Sequence, residues 1–239
     1  FVLKRMDKKK NIPILHKLYG AFIIGIAVTA ASTGFSVYGT IHARQMTTRS
    51  YDISVDKHVD DISSLNVVLV ADLHLGYSIG CSDMEKMVDR INALNPDVVI
   101  YAGDIFDNDY DALDDPERLV EIMRNVSAAY GSYAVFGNHD VTETLVGGFS
   151  TASRTKAFRD PRMETFLLQA GINIMLDEVT TIADGKINLI GRLDGEKAGD
   201  GTSNRKDLSE LVKRCDMSKP VIVINHEPDK LHETAAMGV

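Results

Sequence analysis

This 239-residue chain lacks a nucleophile elbow: its one Gly-x-Ser-x-Gly spelling, Gly76-Tyr77-Ser78-Ile79-Gly80, does not directly follow an apolar strand stretch, so nothing points to a covalent serine nucleophile. The glycine pair Gly147-Gly148 lacks the lysine context of a phosphate-binding loop and reads as a flexible rim loop instead. Cysteine is scarce: Cys81 and Cys215 are the only two, and their distance in sequence says nothing about proximity. An extracytoplasmic domain would allow the two to pair, and Cys81 reads as a structural thiol. With no cluster of cysteines or histidines, metal storage or sensing has no support. Internal repeats and low-complexity tracts are also missing. Positive charge is confined to one end. The first seventeen residues carry +5, the whole chain −8, which leaves −13 for the remainder. An acidic body of this kind excludes a diffuse basic surface for nucleic acid. A metal centre could still attract a phosphate, because a bound cation dominates the field of its own site.

Charge is missing altogether from Leu18 to Ile41. Roughly two dozen uncharged residues are enough to cross about 30 Å of hydrocarbon. The basic flank lies before this run, and only Arg44 and Arg49 follow closely. The positive-inside rule then places residues 1–17 in the cytoplasm and the main domain outside the membrane. A signal-anchor and a cleaved leader, cut near Ala30-Ala31-Ser32, are the two readings of the run. Apolar character continuing through Phe35, Val37 and Tyr38 favours the anchor. The expected organisation is a basic tail over 1–17, a transmembrane signal-anchor over 18–41, a linker over 42–60 and one main domain over 61–239. In the linker, Tyr51, Ile53 and Val55 alternate with polar residues, which predicts a short edge strand.

The main domain alternates strand and helix signals. Ser82 and Glu85 have capping-box spacing, and Met84, Met87, Val88, Ile91 and Leu94 follow at helical spacing until Asn95-Pro96. A second helix is expected from Asp115-Pro116 through Leu119, Val120 and Met123, and a third through Phe166 and Leu167 to Gly171. Residues 172–176, 179–182 and 186–190 read as strands, the last two joined across Asp184-Gly185 as a hairpin. Residues 194–204 read as a loop, and 207–214 as a short helix. Strand–helix–strand repeats at this spacing argue for a parallel α/β core.

Four polar runs follow four apolar, β-branched stretches: Asp72-Leu73-His74, Gly103-Asp104-Ile105-Phe106-Asp107, Gly137-Asn138-His139-Asp140 and Asn225-His226-Glu227. In an open α/β sheet, ligand sites are assembled at the ends of parallel strands. Here those ends carry carboxylates, an amide oxygen and imidazoles, a ligand set for divalent metals. In an extended segment Asp72 and His74 would point the same way and reach one metal together. Asp104 has two carboxylate oxygens and can bridge. Surface solvation is the bland reading of Asp109.

In order and wording these runs resemble the calcineurin-like metallophosphoesterase superfamily, over roughly Asn66 to the end of the chain. The resemblance implies a layered α/β/β/α sandwich of two sheets flanked by helices, here preceded by one transmembrane helix. It implies two divalent metals, Mn, Fe, Zn, Co or Ni, with Mn favoured. Asp72 and His74 would bind the first, Asp104 would bridge, and Asn138 and His226 would hold the second. His139 would act as general acid or phosphate donor, oriented by Asp107. The implied reaction is hydrolysis of a phosphodiester or pyrophosphate by a metal-bridged hydroxide. The short, membrane-anchored bacterial members suggest envelope or lipid-linked substrates such as UDP-2,3-diacylglucosamine. A general phosphomonoesterase and a non-catalytic scaffold of the same fold are the alternatives, and retention of His139 favours an enzyme. No protein partner can be inferred. The family pattern also includes a Gly-His-x-His run, which does not occur before Val239, so the chain is expected to be incomplete on that side of the site.

Overall fold

The computed structural model describes residues 13–43, 45–143, 145–146, 149–150, 157–201 and 204–239. The expected basic tail falls almost wholly outside these residues, as does the Gly147-Gly148 pair. Two compact units are present, Phe1–Asp52 and Ile53–Val239. The first is built on α1 (Pro13–Ala43), a helix of 31 residues. Within it Leu18–Ala43 is long and apolar enough to cross a membrane, and no part of that stretch is buried. Twenty-six residues rise roughly 39 Å at 1.5 Å each. Phe22, Ile24, Phe35 and Tyr38 all stand in the open. An exposed helix that is apolar all round suits hydrocarbon rather than water.

Residues 45–66 form neither helix nor strand. The edge strand expected at Tyr51, Ile53 and Val55 is absent, and the three side chains are 77%, 83% and 59% exposed. Alternation alone does not make a strand. A pleated face gains stability only when another element covers it.

The second unit begins with β1 (Val67–Val70), followed by α2 (Cys81–Ala93), β2 (Val98–Ala102) and α3 (Pro116–Arg124). Next come β3 (Ser132–Val135), a short hairpin of β4 (Leu145–Val146) and β5 (Phe149–Ser150), α4 (Pro161–Gln169) and β6 (Ile172–Ile174). The remaining elements are β7 (Glu178–Ile182), β8 (Ile187–Gly191), α5 (Leu208–Val212), β9 (Val221–Ile224) and α6 (Leu231–Ala236). Strands β1, β2, β3 and β6 lie side by side in that order and are all parallel. A second sheet has the order β7-β8-β9, with the expected antiparallel hairpin β7–β8 and a parallel β8–β9 pair.

Two helix starts follow local chemistry closely. Asp115 and Asp160 accept hydrogen bonds from the amides of Arg118 and Arg162, and each precedes a proline at the first helical position. The capping box expected at Ser82 does not form. The cap lies two residues earlier, at Gly80, which offers no side-chain acceptor.

Strand β2 separates two apolar layers. Val99 and Tyr101 join Met84, Met87, Val88 and Ile91 of α2, Leu119 and Met123 of α3, and Phe166 and Leu167 of α4. Val98 and Ile100 face the other way, onto Met175, Ile182, Leu189 and Ile224 of the second sheet region. Full burial of each such side chain contributes roughly 1.5–3 kcal/mol. The unit is therefore an α/β sandwich of two sheets flanked by helices, with the carboxyl ends of β1, β2, β3 and β9 left to carry polar side chains.

Candidate metal centre at the strand ends

The first two polar runs continue beside each other after their strands stop. The amides of Asp72, His74 and Leu75 donate to the carbonyls of Gly103, Asp104 and Ile105 at 3.1, 3.0 and 2.9 Å. They do so in an unusual backbone form: Asp72, His74 and Asp104 have φ of 54°, 47° and 50°. Left-handed backbone in a side-chain-bearing residue costs of order 1–3 kcal/mol and is typically found where the surroundings impose it. The extended geometry expected for Asp72 and His74 is therefore not what forms. Their neighbouring ligand atoms come from a twisted turn, held by the hydrogen bonds to the second run.

Two glycines make room for the centre. A Cβ on Gly103 would lie 2.5 Å from Cγ and Nδ1 of His226. On Gly137 it would collide with the Asp104 carboxylate, 2.6 Å from the Asp104 amide nitrogen and 2.7 Å from Cδ2 of His226. Only glycine lets the second and third runs approach this closely.

The side chains converge in two groups. Ligand atoms of Asp72, Asp104 and His226 lie within 4.8 Å of one another, and so do those of His74, Asp107 and His139. Asp104, almost fully buried, stands between them. Its Oδ2 lies 3.3 Å from Nε2 of His226 and 3.7 Å from Nε2 of His74, while Oδ1 accepts the His139 amide at 2.8 Å. His226 donates from Nδ1 to the Ala102 carbonyl at 2.8 Å, which aims Nε2 at Asp104 and, 3.1 Å away, at Oδ1 of Asn138. Fixing one imidazole nitrogen on a carbonyl so that the other faces inward is how proteins prepare a metal-binding histidine. Two neighbouring groups of carboxylates and imidazoles, with the Asn138 amide oxygen beside one of them, fit divalent metal.

The electrostatics agree. The hydrogen bond with Asp104 raises the His226 pKa to about 9 against the opposing effect of burial, helped by the Ala102 carbonyl and the charges of Asp104 and Asp72. Burial pushes the Asp104 carboxyl up, but hydrogen bonds from His226 and the His139 amide outweigh it and leave the group lower than usual. The two shifts describe one interaction. Asn225 and Glu227, which flank His226, do not enter the centre: Asn225 accepts from Arg205 Nη2 at 2.7 Å, and Glu227 is exposed.

His139 sits with its ring edge-on to His74, centroids 5.1 Å apart. Its Nδ1 faces the side-chain nitrogen of Asn108 at 3.0 Å. Asp107, which the resemblance makes the partner of His139, has its Oδ1 3.6 Å from Nδ1 of His74. Asp109 caps the turn Tyr110–Ala112 and accepts from the Tyr77 hydroxyl at 3.2 Å, a structural task.

Several residues around the centre carry no signal in the sequence. Asp140, the last residue of the third run, is completely buried. Its carboxylate accepts the amides of Phe106 and Gly137, both at 2.7 Å, and so ties the second run to the third. Burial raises its pKa to about 7, the two amides working against that rise. The Arg159 guanidinium lies 3.7 Å over the Phe136 ring and donates to the Ala198 carbonyl at 2.9 Å. Glu143, just past the third run, forms a buried ion pair with Lys197 at 2.7 Å. The expected 194–204 loop is thus strapped to the site rather than free. An aspartate beside Gly-Asn-His, an arginine and a lysine all look like surface residues until the fold covers them.

Comparison with known proteins agrees with this arrangement. The calcineurin-like phosphoesterase family matches residues 65–237. A transmembrane protein with metallophosphoesterase domain from Danio rerio is 28% identical over 86% of this chain and 44% of its own length. An uncharacterized metallophosphoesterase of Bacillus subtilis is 24% identical over 97% of the chain and 73% of its own length. A UDP-2,3-diacylglucosamine pyrophosphatase of Chlamydia trachomatis is 23% identical over 75% of the chain and 62% of its own length. The chain spans less than half of the first of these relatives.

Proposed function

The chain belongs to the calcineurin-like phosphoesterase family, and from that premise we propose that it is a membrane-associated, divalent-metal-dependent hydrolase of phosphodiester or pyrophosphate bonds. The observation that carries this reading is the convergence of Asp72, Asp104 and His226 beside His74 and His139. In the proposed scheme Asp72, His74, Asp104, Asn138 and His226 hold two cations, with Mn favoured. Bound there, they would supply positive charge for the phosphoryl oxygens and would lower the pKa of a water.

The chain's own side chains do the rest. Asp104, fixed by the His139 amide, keeps its second oxygen inward. His226 cannot rotate while Nδ1 holds the Ala102 carbonyl. His139 donates a hydrogen bond to the leaving oxygen, and removing one such donor typically costs about 10²–10³-fold. Asp107 keeps its carboxylate 3.6 Å from Nδ1 of His74, in the same group as His139.

The test is a chelator-stripped full-length protein assayed on bis(p-nitrophenyl) phosphate with each metal returned singly. Activity should return with Mn. On diphenyl phosphate, whose leaving oxygen is the more basic, His139→Ala should lower turnover by ~10²–10³-fold at unchanged metal content, since His139 is assigned no metal. A protein equally active after stripping would sink the reading.

The α1 helix and the relatives named as transmembrane proteins support membrane association. The basic flank before Leu18 places the catalytic unit outside the cytoplasm in this proposal. Substrates in the envelope or on lipid carriers follow, in keeping with the diacylglucosamine pyrophosphatase relative. A phosphatase reporter fused after Gly185 should be active on the outer side only. Activity of a cytoplasmic reporter at the same fusion point would reverse the orientation.

A further inference from the structure

We propose that Asn108 is the positioning residue that fixes the hydrogen of His139 on Nε2, so that the neutral imidazole faces the leaving oxygen as a hydrogen-bond donor. This rests on the phosphoesterase reading above. Asn108 is 2% exposed and lies in left-handed backbone, φ 57°. It clasps His139 twice. Its amide donates to the His139 carbonyl at 3.1 Å, and its side-chain nitrogen lies 3.0 Å from His139 Nδ1. A carboxamide nitrogen can only donate. The Nδ1 it faces must therefore be the bare, accepting nitrogen, and a neutral ring then carries its hydrogen on Nε2.

The orientation of the amide follows from its surroundings. Among the described residues, Oδ1 of Asn108 is buried with no hydrogen-bond partner. Turning the amide over would put Oδ1 on Nδ1 and leave the NH₂ group in that same partnerless place. A buried orphan N–H is rarer and costlier than an under-used carbonyl oxygen. The carbonyl of Asn108 also accepts the Glu143 amide at 3.3 Å, and Glu143 is held in the buried pair with Lys197. Asn108 is thus anchored from the side away from the imidazole. Asp107 does not compete for the role, since its carboxylate is turned toward His74.

A carboxylate in this position would demand a hydrogen on Nδ1. The carboxamide demands the opposite tautomer without adding charge beside the metal ligands. The balance of the step is simple. The phosphorus–oxygen bond of the leaving group breaks while Nε2–H donates a hydrogen bond to the leaving oxygen; the Nε2–H bond stays intact, and water supplies the proton the departing anion takes up. The gain should be largest where the leaving oxygen is most basic.

The experiment uses the full-length protein and two diesters, bis(p-nitrophenyl) phosphate and diphenyl phosphate. The p-nitrophenolate departs unaided, whereas the more basic phenolate benefits from a hydrogen-bond donor. Asn108→Gly keeps the left-handed backbone and both main-chain contacts and removes only the carboxamide. Turnover of diphenyl phosphate should fall about 10–100-fold, as for other outer partners of functional histidines. Turnover of the nitrophenyl ester, KM and metal content should stay near wild type. Added to His139→Ala, the substitution should cost nothing further. The nitrogen-15 shifts of His139 in the wild-type protein should report a bare Nδ1 and a protonated Nε2. Equal losses on both esters, additivity with His139→Ala, or a protonated Nδ1 in the neutral ring would each overturn the proposal. If neither ester were hydrolysed with metal present, the phosphoesterase reading would fail, and the nitrogen shifts would still decide the Asn108 contact.

Discussion

Asp104→Asn should abolish turnover, with a loss of about 10³-fold or more, and should empty the metal centre while leaving the fold intact. Asp104 is the one side chain that faces both groups of ligands, with Oδ2 toward His226 and His74 and Oδ1 on the His139 amide. An asparagine of the same shape tolerates the left-handed backbone at φ 50°. It therefore tests charge and not packing. The change removes a negative charge and can retain only one acceptor oxygen. If the oxygen stays on the His139 amide, an NH₂ group points at His226 and His74 where a cation would sit. Loss of several kcal/mol of charge stabilisation corresponds to this scale, since each 1.36 kcal/mol is tenfold. Metal content measured on the purified variant should fall together with rate, and urea unfolding should shift little. Turnover near wild type would remove Asp104 from the centre.

Metal affinity should climb steeply with pH between about 6.5 and 9, and the stability of the metal-free protein should move the other way. In the metal-free protein the raised pKa of His226, about 9, means that its Nε2 holds a hydrogen facing Asp104 and Asn138. A cation bound there must displace that proton. Each pH unit below 9 therefore weakens binding by up to tenfold, so affinity should differ on the order of 10²-fold across the window. The stability effect has the opposite sign. A histidine whose folded pKa lies above its unfolded value stabilises the fold fully below about pH 6.5, and that contribution disappears as pH rises through about 9. Titration calorimetry in two buffers of different protonation enthalpy should show near one proton released per metal at pH 7. The same affinity at pH 6.5 and 8.5, with no proton released, would mean that His226 lies outside the metal shell.

Much of the fold could be read without coordinates. β-Branched runs announced β1, β2, β3 and β9, and apolar spacing announced α2, α3 and α4. Asp115-Pro116 marked a helix start because its capping bond closes within a few residues. The four polar runs stood out because strand ends and metal chemistry both leave local marks: glycine where the backbone must approach, and carboxylates, amide and imidazoles directly after β-branched residues. The structure brings Asp72, His74, Asp104, Asn138, His139 and His226 to one place. A charge-free run from Leu18 also needs no tertiary context to be read as a membrane-length helix.

Other features belong to the tertiary structure alone. The alternation at Tyr51, Ile53 and Val55 is a strand pattern with no sheet to join, and nothing local reveals whether a partner will be there. The left-handed turns at Asp72 and His74 are imposed by carbonyls some thirty residues further along the chain, at Gly103 and Asp104. The task of Asp140 depends on the Phe106 amide, and that of Asn108 on the ring of His139. Glu143 and Lys197 become a buried pair only because two loops far apart in sequence meet. Periodicity, capping and turn chemistry act over a few residues and are written in the order of the chain. Burial, and the hydrogen bonds that buried polar groups must find, depend on what the rest of the chain places against them.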